Sequence, residues 1–213
     1  MPSARRRKEG TPLESLDLHH QRWLRATSLL KGSGARRVLD LGCGTGGLLQ
    51  YLLRETQFEQ VAGLERSGEL LAQAKMRLER LPAACRRRLT LVCGSYVEPH
   101  AALAGFDAAA MIETIEHVPP ASLSRVERAV FGTLRPGLLV LTTPNHDYNP
   151  LFGLARGEFR DSDHRFEWTR DRFRDWVRGV ARRNGYCVAT SGIGEWHPEL
   201  GQPTQLARFE RKA

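Results

Sequence analysis

Short apolar runs alternate with amphipathic stretches along most of the chain, a pattern that predicts a parallel sheet with helices on both faces. Leu13–Lys31 carries Leu16, Trp23, Leu24, Leu29 and Leu30 near helical spacing and stops at Gly32-Ser33-Gly34, so a leading helix is expected there. Val38-Leu39-Asp40-Leu41 reads as a buried strand and Leu48–Arg54 as the helix after it. The unit recurs. Strand Val61–Glu65 precedes helix Glu69–Arg80, capped by Ser67, and strands follow at Leu89–Cys93, Phe106–Ile112 and Leu138–Thr142, with a helix over Ala121–Leu134. Pro144–Trp168 has no clear period, and its His, Asn, Asp, Arg and aromatic residues favour a functional segment. Helical spacing resumes over Thr169–Asn184 with Gly185 as C-cap, and Tyr186–Thr190 and Thr204–Phe209 read as closing strands. The expected architecture is α/β, with a basic flexible tail over 1–12 and a single domain over 13–213.

Composition adds limits rather than detail. Of 213 residues, 41% are hydrophobic and 26% charged, a globular balance that argues against global disorder. No apolar run approaches the ~18–20 residues that span a bilayer, and the Arg-rich start is followed by no signal-peptide stretch, so a cytoplasmic, non-membrane protein is expected. Cys43, Cys85, Cys93 and Cys187 show no CxxC spacing, which points away from zinc or a disulfide scaffold and toward a reducing compartment. A net charge of +8 is open to two readings, an acidic partner such as nucleic acid or a simple Arg-rich bias.

Chemistry enters at the strand ends. Asp40-Leu41-Gly42-Cys43-Gly44-Thr45-Gly46 lies between a predicted strand and helix, where glycines allow a tight turn and close approach of a ligand to the backbone. Glu65 ends the next strand, 19 residues after Gly46, where a carboxylate can accept hydrogen bonds from both ribose hydroxyls of a nucleoside cofactor. Asp40 beside the loop would repel a pyrophosphate but suits the cationic ammonium and sulfonium of S-adenosylmethionine (SAM). The string resembles motif I of the Rossmann-like SAM-dependent methyltransferases, and that resemblance puts Asp40, Gly42, Gly44, Glu65 and Ser95 at the cofactor.

Strand four runs into Ile112-Glu113-Thr114-Ile115-Glu116-His117, at the sheet edge where α/β proteins bind ligands. Two carboxylates and an imidazole leaving an apolar strand would cost several kcal/mol if buried unpaired, and a divalent metal would compensate them. His164, in the long aperiodic segment, can fold back to complete a two-Glu, two-His site. Such mixed ligation favours Mn²⁺, Fe²⁺ or Co²⁺ over Mg²⁺. From Arg156 to Arg183 nine Arg stand against six acidic residues, which suits a phosphate-bearing substrate, and Phe159, Phe166 and Trp168 are available to stack a base. For Phe166 and Trp168, anchoring of the loop in the core is the expected role.

The stretches Ile112–His117, Thr142–Asn149, Phe159–Arg170 and Gly201–Gln205 together resemble the small-RNA 3′-terminal 2′-O-methyltransferases, which act on plant microRNAs, animal piRNAs and bacterial RNA ends under repair. The resemblance runs from about Leu13 to Arg211 and leans toward the compact animal type. It implies that Glu113, Glu116, His117 and His164 hold one divalent metal (Mn²⁺ or Mg²⁺), and that the substrate is an RNA 3′ end with a free 2′,3′-diol. It also implies a partner of the Argonaute/Piwi or RNA-repair type. Glu116 and His117 are the expected catalytic residues, with His117 preferred over His146 as general base. Glu65 stands where many members have Asp, and Thr45 where an acidic residue is common. The length fits a catalytic fold plus a short tail, so the domain is expected to recognise its substrate itself or with a partner's help. The competing reading is a SAM-dependent methyltransferase of a small metabolite that uses the Glu/His cluster as an acid–base site without metal.

Overall fold

Successive side chains of a strand leave the sheet on opposite faces, and in this chain both faces are apolar, so the strands require cover on each side. The computed structural model describes residues 12–212, with side chains from Leu18 onward. The tail expected over 1–12 lies outside the described residues apart from Pro12, which opens α1 (Pro12–Gly32). Then come β1 (Arg37–Leu41), α2 (Gly47–Arg54), β2 (Gln60–Glu65), α3 (Gly68–Leu78), the single turn α4 (Ala83–Arg86), β3 (Leu89–Cys93) and β4 (Ala108–Ile112). The second half comprises α5 (Leu123–Glu127), β5 (Leu138–Pro144), α6 (Arg170–Asn184), β6 (Tyr186–Ile193) and β7 (Thr204–Arg211).

The seven strands form one sheet in the order β3-β2-β1-β4-β5-β7-β6. The first five are parallel, and β7 runs antiparallel between β5 and β6. Leu39, Leu41, Met111, Leu139 and Leu141 point to the face covered by α5, the residues that follow it and α6, through Val126, Phe131, Phe173 and Val177. Val38, Val61, Ala108, Ala110 and Val140 point to the opposite face and meet Ala26 and Leu30 of α1, Leu49 and Leu52 of α2, and Leu78 of α3. No helix among the described residues is long and apolar enough to cross a membrane.

Several elements differ from the sequence expectation. The helix expected over 121–134 is divided into a 3₁₀ turn, Pro120–Ser122, then α5, then a wider π-helical stretch over Arg128–Leu134 that closes with Arg135 N–H donating to Val130 O. The closing strands are longer than expected, to Ile193 and Arg211, because β7 is paired along both edges and extends its neighbour. Within the aperiodic segment, His146–Phe152 winds as 3₁₀ helix, begun by Asn145, whose side chain accepts from Asp147 N.

The parallel strands all end at one edge, where the loops after β1, β2, β3, β4 and β5 meet. Its rigidity comes from below: Phe131, Tyr186 and Phe209 form an edge-to-face trio, and Tyr186 Oη donates to Pro136 O at 2.7 Å. Phe209 is fully buried. Phe209→Ala should lower stability by about 3–5 kcal/mol, read as a shift of the urea midpoint at constant slope.

Candidate active site

Gly42 to Gly46 carry the chain from β1 into α2, and the turn needs left-handed backbone, with φ of 80° at Gly42 and 79° at Gly46. Close approach matters as well: a Cβ on Gly42 would lie 2.2 Å from Thr114 Oγ1. The backbone N–H groups of Gly42 and Cys43 both donate to Leu64 O, at 2.8 and 3.1 Å, which lays the loop across the end of β2. Glu65 then joins loop to helix. Its Oε2 accepts from Gly44 N at 3.0 Å and its Oε1 from Ser67 N at 2.9 Å.

This loop forms one wall of a cleft of about 270 Å³. Gly42, Gly44, Glu65 and Ser95 of the sequence-predicted cofactor set line it. Asp40 does not; it lies beneath the loop, 2% exposed, with Oδ2 lacking any partner. Burial, reinforced by the charge of Glu65, pushes its carboxyl up to about 7. A buried carboxylate in that state suits a cationic neighbour, which is the charge SAM carries.

The other wall begins where β4 ends. Glu113 sits at φ 50°, a left-handed conformation that costs a residue with a side chain about 1–3 kcal/mol. It is held there by its N–H, which faces Thr142 O at 3.2 Å and Thr142 Oγ1 at 3.1 Å. The reversal drops the chain into a 3₁₀ turn, Ile115–His117. Glu116 is thereby fully buried; Oε2 accepts from Thr143 Oγ1 at 3.0 Å, and Oε1 has no partner. Burial and the neighbouring Glu113 hold its carboxyl well above the ordinary range.

Ligand atoms of Glu116, His117 and His164 lie within 4.8 Å of one another. His164 reaches this group because Arg165 N donates to Glu116 O at 2.8 Å, docking the aperiodic segment on the turn. Each imidazole is turned by a carboxylate on Nδ1: Asp163 Oδ2 at 3.2 Å from His117 and Glu167 Oε1 at 2.6 Å from His164. That arrangement leaves Nε2 of each ring for a metal and is the usual outer-sphere support of a metal-binding histidine. An orphaned carboxylate oxygen and two imidazoles form a donor set that fits a divalent transition ion. Glu113 stands apart from this group, its Oε2 paired at 2.9 Å with Arg22 of α1 and its Oε1 buried without a partner.

Sequence reasoning passed over Asp163, Glu167 and Arg22. The first two flank His164 at −1 and +3 and were visible in the motif itself. Arg22 had no local signal; it is 5% exposed and bridges Glu113 to Thr204 Oγ1, its Nε donating across 2.8 Å to a residue 182 positions away. Glu167 is buried, yet the hydrogen bonds from His164, Asn149 and Arg160 outweigh that burial and hold its carboxyl below the ordinary value. Around it, Arg160 donates to Asn149 Oδ1, Pro203 O and Asn145 O at 2.7, 2.8 and 2.6 Å. Gln205 donates to Pro144 O and Trp168 O. Phe166 and Trp168 stack at 4.3 Å in the core, the anchoring role expected of them.

Parallel strands in this order, a glycine loop after β1 and an acidic residue after β2 define a Rossmann-like SAM-dependent methyltransferase fold. A methyltransferase-domain family model matches residues 38–137. The chain is 40% identical to the methyltransferase domain of bacterial CtHen1, with a TM-score of 0.82, over 91% of this chain and 99% of that one. It matches the solved small RNA methyltransferase HEN1 with a TM-score of 0.85 and 30% identity, over the whole of this chain and 27% of that one. A small RNA 2′-O-methyltransferase of Rattus norvegicus is 34% identical over 91% of this chain. The chain spans about half the length of that curated relative (51%). The chain belongs to the small RNA 2′-O-methyltransferase family.

Asp40 has a readable consequence. The folded state keeps its proton up to about 7, whereas the unfolded chain releases it near 3.8. Between those values the folded state binds more protons, so the contribution of Asp40 to stability falls as pH rises through that window. Denaturation of the ligand-free protein followed from pH 4 to 7 should show a decline that Asp40→Asn flattens.

Proposed function

We propose that this chain transfers the methyl group of SAM to the 2′-hydroxyl of the 3′-terminal nucleotide of a small RNA. The observation that carries the reading is a shared wall: Glu113, Thr114 and His117 line the same cleft as Gly42, Glu65 and Ser95. A methyl donor seated against the glycine loop is thus adjacent to the Glu/His group, the proximity that a single in-line transfer requires.

Glu116, His117 and His164 are the residues we assign to the metal, and Glu113, whose Oε2 is held by Arg22, keeps a buried and unpartnered Oε1 to serve as the second carboxylate. When bound there, a divalent cation supplies positive charge that lowers the pKa of an adjacent hydroxyl, and Mn²⁺ or Mg²⁺ is the ion we assign. When bound in the cleft, SAM supplies an electrophilic methyl. The chain's own residues do the rest. Glu65 holds the cofactor's ribose, Asp40 offsets its positive charge from beneath, and Asp163 and Glu167 fix the two imidazoles. His117 fronts the cleft and His146 does not, so His117 is the base we assign, taking the hydroxyl proton on Nε2 when that nitrogen is released from the metal. Asp163 on its Nδ1 stabilises the imidazolium that results.

A 3′-terminal ribose is where an RNA offers adjacent free 2′ and 3′ hydroxyls, so a site that grips both reads the end of the strand. Exposed arginines in the segment Arg156–Arg183, among them Arg165, Arg172, Arg174 and Arg178, supply charge for its phosphates. The four cysteines are free, which supports a reducing, cytoplasmic setting.

One oligonucleotide prepared with a 2′,3′-diol, a 2′-deoxy or a 3′-phosphate end should accept labelled methyl only as the diol, and thorough EDTA treatment should abolish that incorporation until Mn²⁺ is restored. Incorporation indifferent to the end, or surviving chelation, would refute the reading. Ligand and base roles compete for the same nitrogen of His117, so His117→Asn and His146→Asn separate them. With His117 as base, His117→Asn lowers kcat by about 10²–10⁴-fold while Mn²⁺ still binds by calorimetry, and His146→Asn leaves turnover within a few-fold.

A further inference from the structure

A second hollow lies outside the methyl-transfer site. About 200 Å³ in volume, it is walled by Arg170, Arg174, Ser191, Trp196 and Gln202. Its charged wall residues are two arginines; no carboxylate lines it. It sits on the same edge of the sheet as the active site, because Thr204 at the start of β7 pairs with both Pro144 at the end of β5 and Ile193 at the end of β6. Two strand spacings, ~10 Å, separate the end of β5 from that of β6. Asn145 and Gln205 belong to both places: they wall the hollow and brace the segment that carries His164.

Trp196 is the unexplained residue. It is 67% exposed and has no ring partner among the described residues, an unusual state for the largest apolar side chain. Mobility does not account for it. The β6–β7 connection is pinned by a two-way backbone bridge between His197 and Gly201 (2.7 and 2.8 Å), by His197 Nδ1 accepting from Glu199 N and Leu200 N, and by Gln202 Nε2 donating to Gly194 O at 3.0 Å. Arg170 Nη2 fastens the tip through Glu199 O at 2.6 Å. The indole is therefore displayed on a fixed scaffold at the rim of a basic hollow. Arg174 is half-exposed, and its one ion pair, to Asp171 at 3.5 Å, is a loose surface contact that a phosphate can replace.

An exposed aromatic face beside a loosely paired guanidinium, on the same sheet edge as the Glu/His group, matches the pairing of stacking platform and phosphate contact used for single-stranded nucleic acid. We propose that this hollow is a second nucleotide subsite, in which Trp196 stacks a base two or more nucleotides upstream of the end and Arg174 meets its phosphate while the 3′-terminal nucleotide occupies the Glu/His site. The inference rests on the methyl-transfer reading for its register but is tested apart from it.

The test compares diol-ended single-stranded RNAs of two and of ten nucleotides with the wild-type protein, Trp196→Ala and Arg174→Ala. For the decamer, Trp196→Ala should raise KM about 10-fold, the size of one lost base–aromatic stack, and leave kcat unchanged. Arg174→Ala should also raise KM and reduce the slope of log K against log salt by about 0.7. For the dinucleotide neither variant should differ from wild type. Separately, the decamer without SAM should quench tryptophan fluorescence in the wild type, and Trp196→Phe should lose the quench while keeping most of the affinity. Decamer KM unchanged in both variants overturns the subsite, and so does an equal rise for dinucleotide and decamer. If the wild type methylates no RNA, the fluorescence measurement still decides: quenching through Trp196 sustains a nucleotide subsite, and its absence removes it. A surface that serves a protein partner instead would leave every RNA measurement unmoved, which also overturns the proposal.

Discussion

Unbalanced negative charge at the carboxyl edge of the sheet governs the molecule. Asp40, Glu65, Glu113 and Glu116 converge there with little exposure, and of the four only Glu113 forms an ion pair among the described residues. Placing carboxylates in such a setting costs several kcal/mol each unless charge or hydrogen bonds offset it. Two different answers are built in. Glu65 is satisfied by the backbone N–H groups of Gly44 and Ser67. Asp40 and Glu116 each retain an orphaned oxygen, one beneath the cofactor loop and the other beside two imidazoles, so each position calls for a cation that the chain does not supply.

That demand explains why the catalytic edge is braced so heavily. Arg160, Asn145 and Gln205 spend their side-chain hydrogen bonds on main-chain carbonyls of Asn145, Pro203, Leu200, Gln202, Pro144 and Trp168. Burial lowers the Arg160 guanidinium to about 10, still charged at neutral pH, so it remains a donor throughout. Phe166 and Trp168 pack into the core underneath and anchor the end of the aperiodic segment. Its lack of period reflects a chain whose backbone partners are side chains from elsewhere, not a chain without partners.

This is also where legibility in the sequence stops. Gly42, Glu65, Glu113 and Glu116 were readable because strand ends are marked by the apolar runs before them, and polar residues at such ends have few structural reasons to be there. His164 was readable through the motif that surrounds it. Arg22 and Gln205 were not, because each acts on residues far away in the chain, and nothing in local spacing distinguishes a buried arginine on a helix from an exposed one. The contact of Glu113 Oε2 with Arg22 was not legible either, because it is decided by tertiary packing of α1 on β4. The division of the helix over 120–134 likewise depends on how that segment meets the sheet rather than on its own pattern.

The strained backbone at Glu113 and its ion pair with Arg22 bear on how the molecule can be dissected. A left-handed residue with a side chain persists only while its surroundings hold it, and one of those holds comes from α1, upstream of the segment 38–137 shared with methyltransferase domains at large. The sheet has its own core without that contact, but the geometry of the β4 turn does not. The arginine that holds the β4 turn thus sits on the same helix whose Ala26 and Leu30 cover one face of the sheet, so removing α1 would uncover that face and release the turn together.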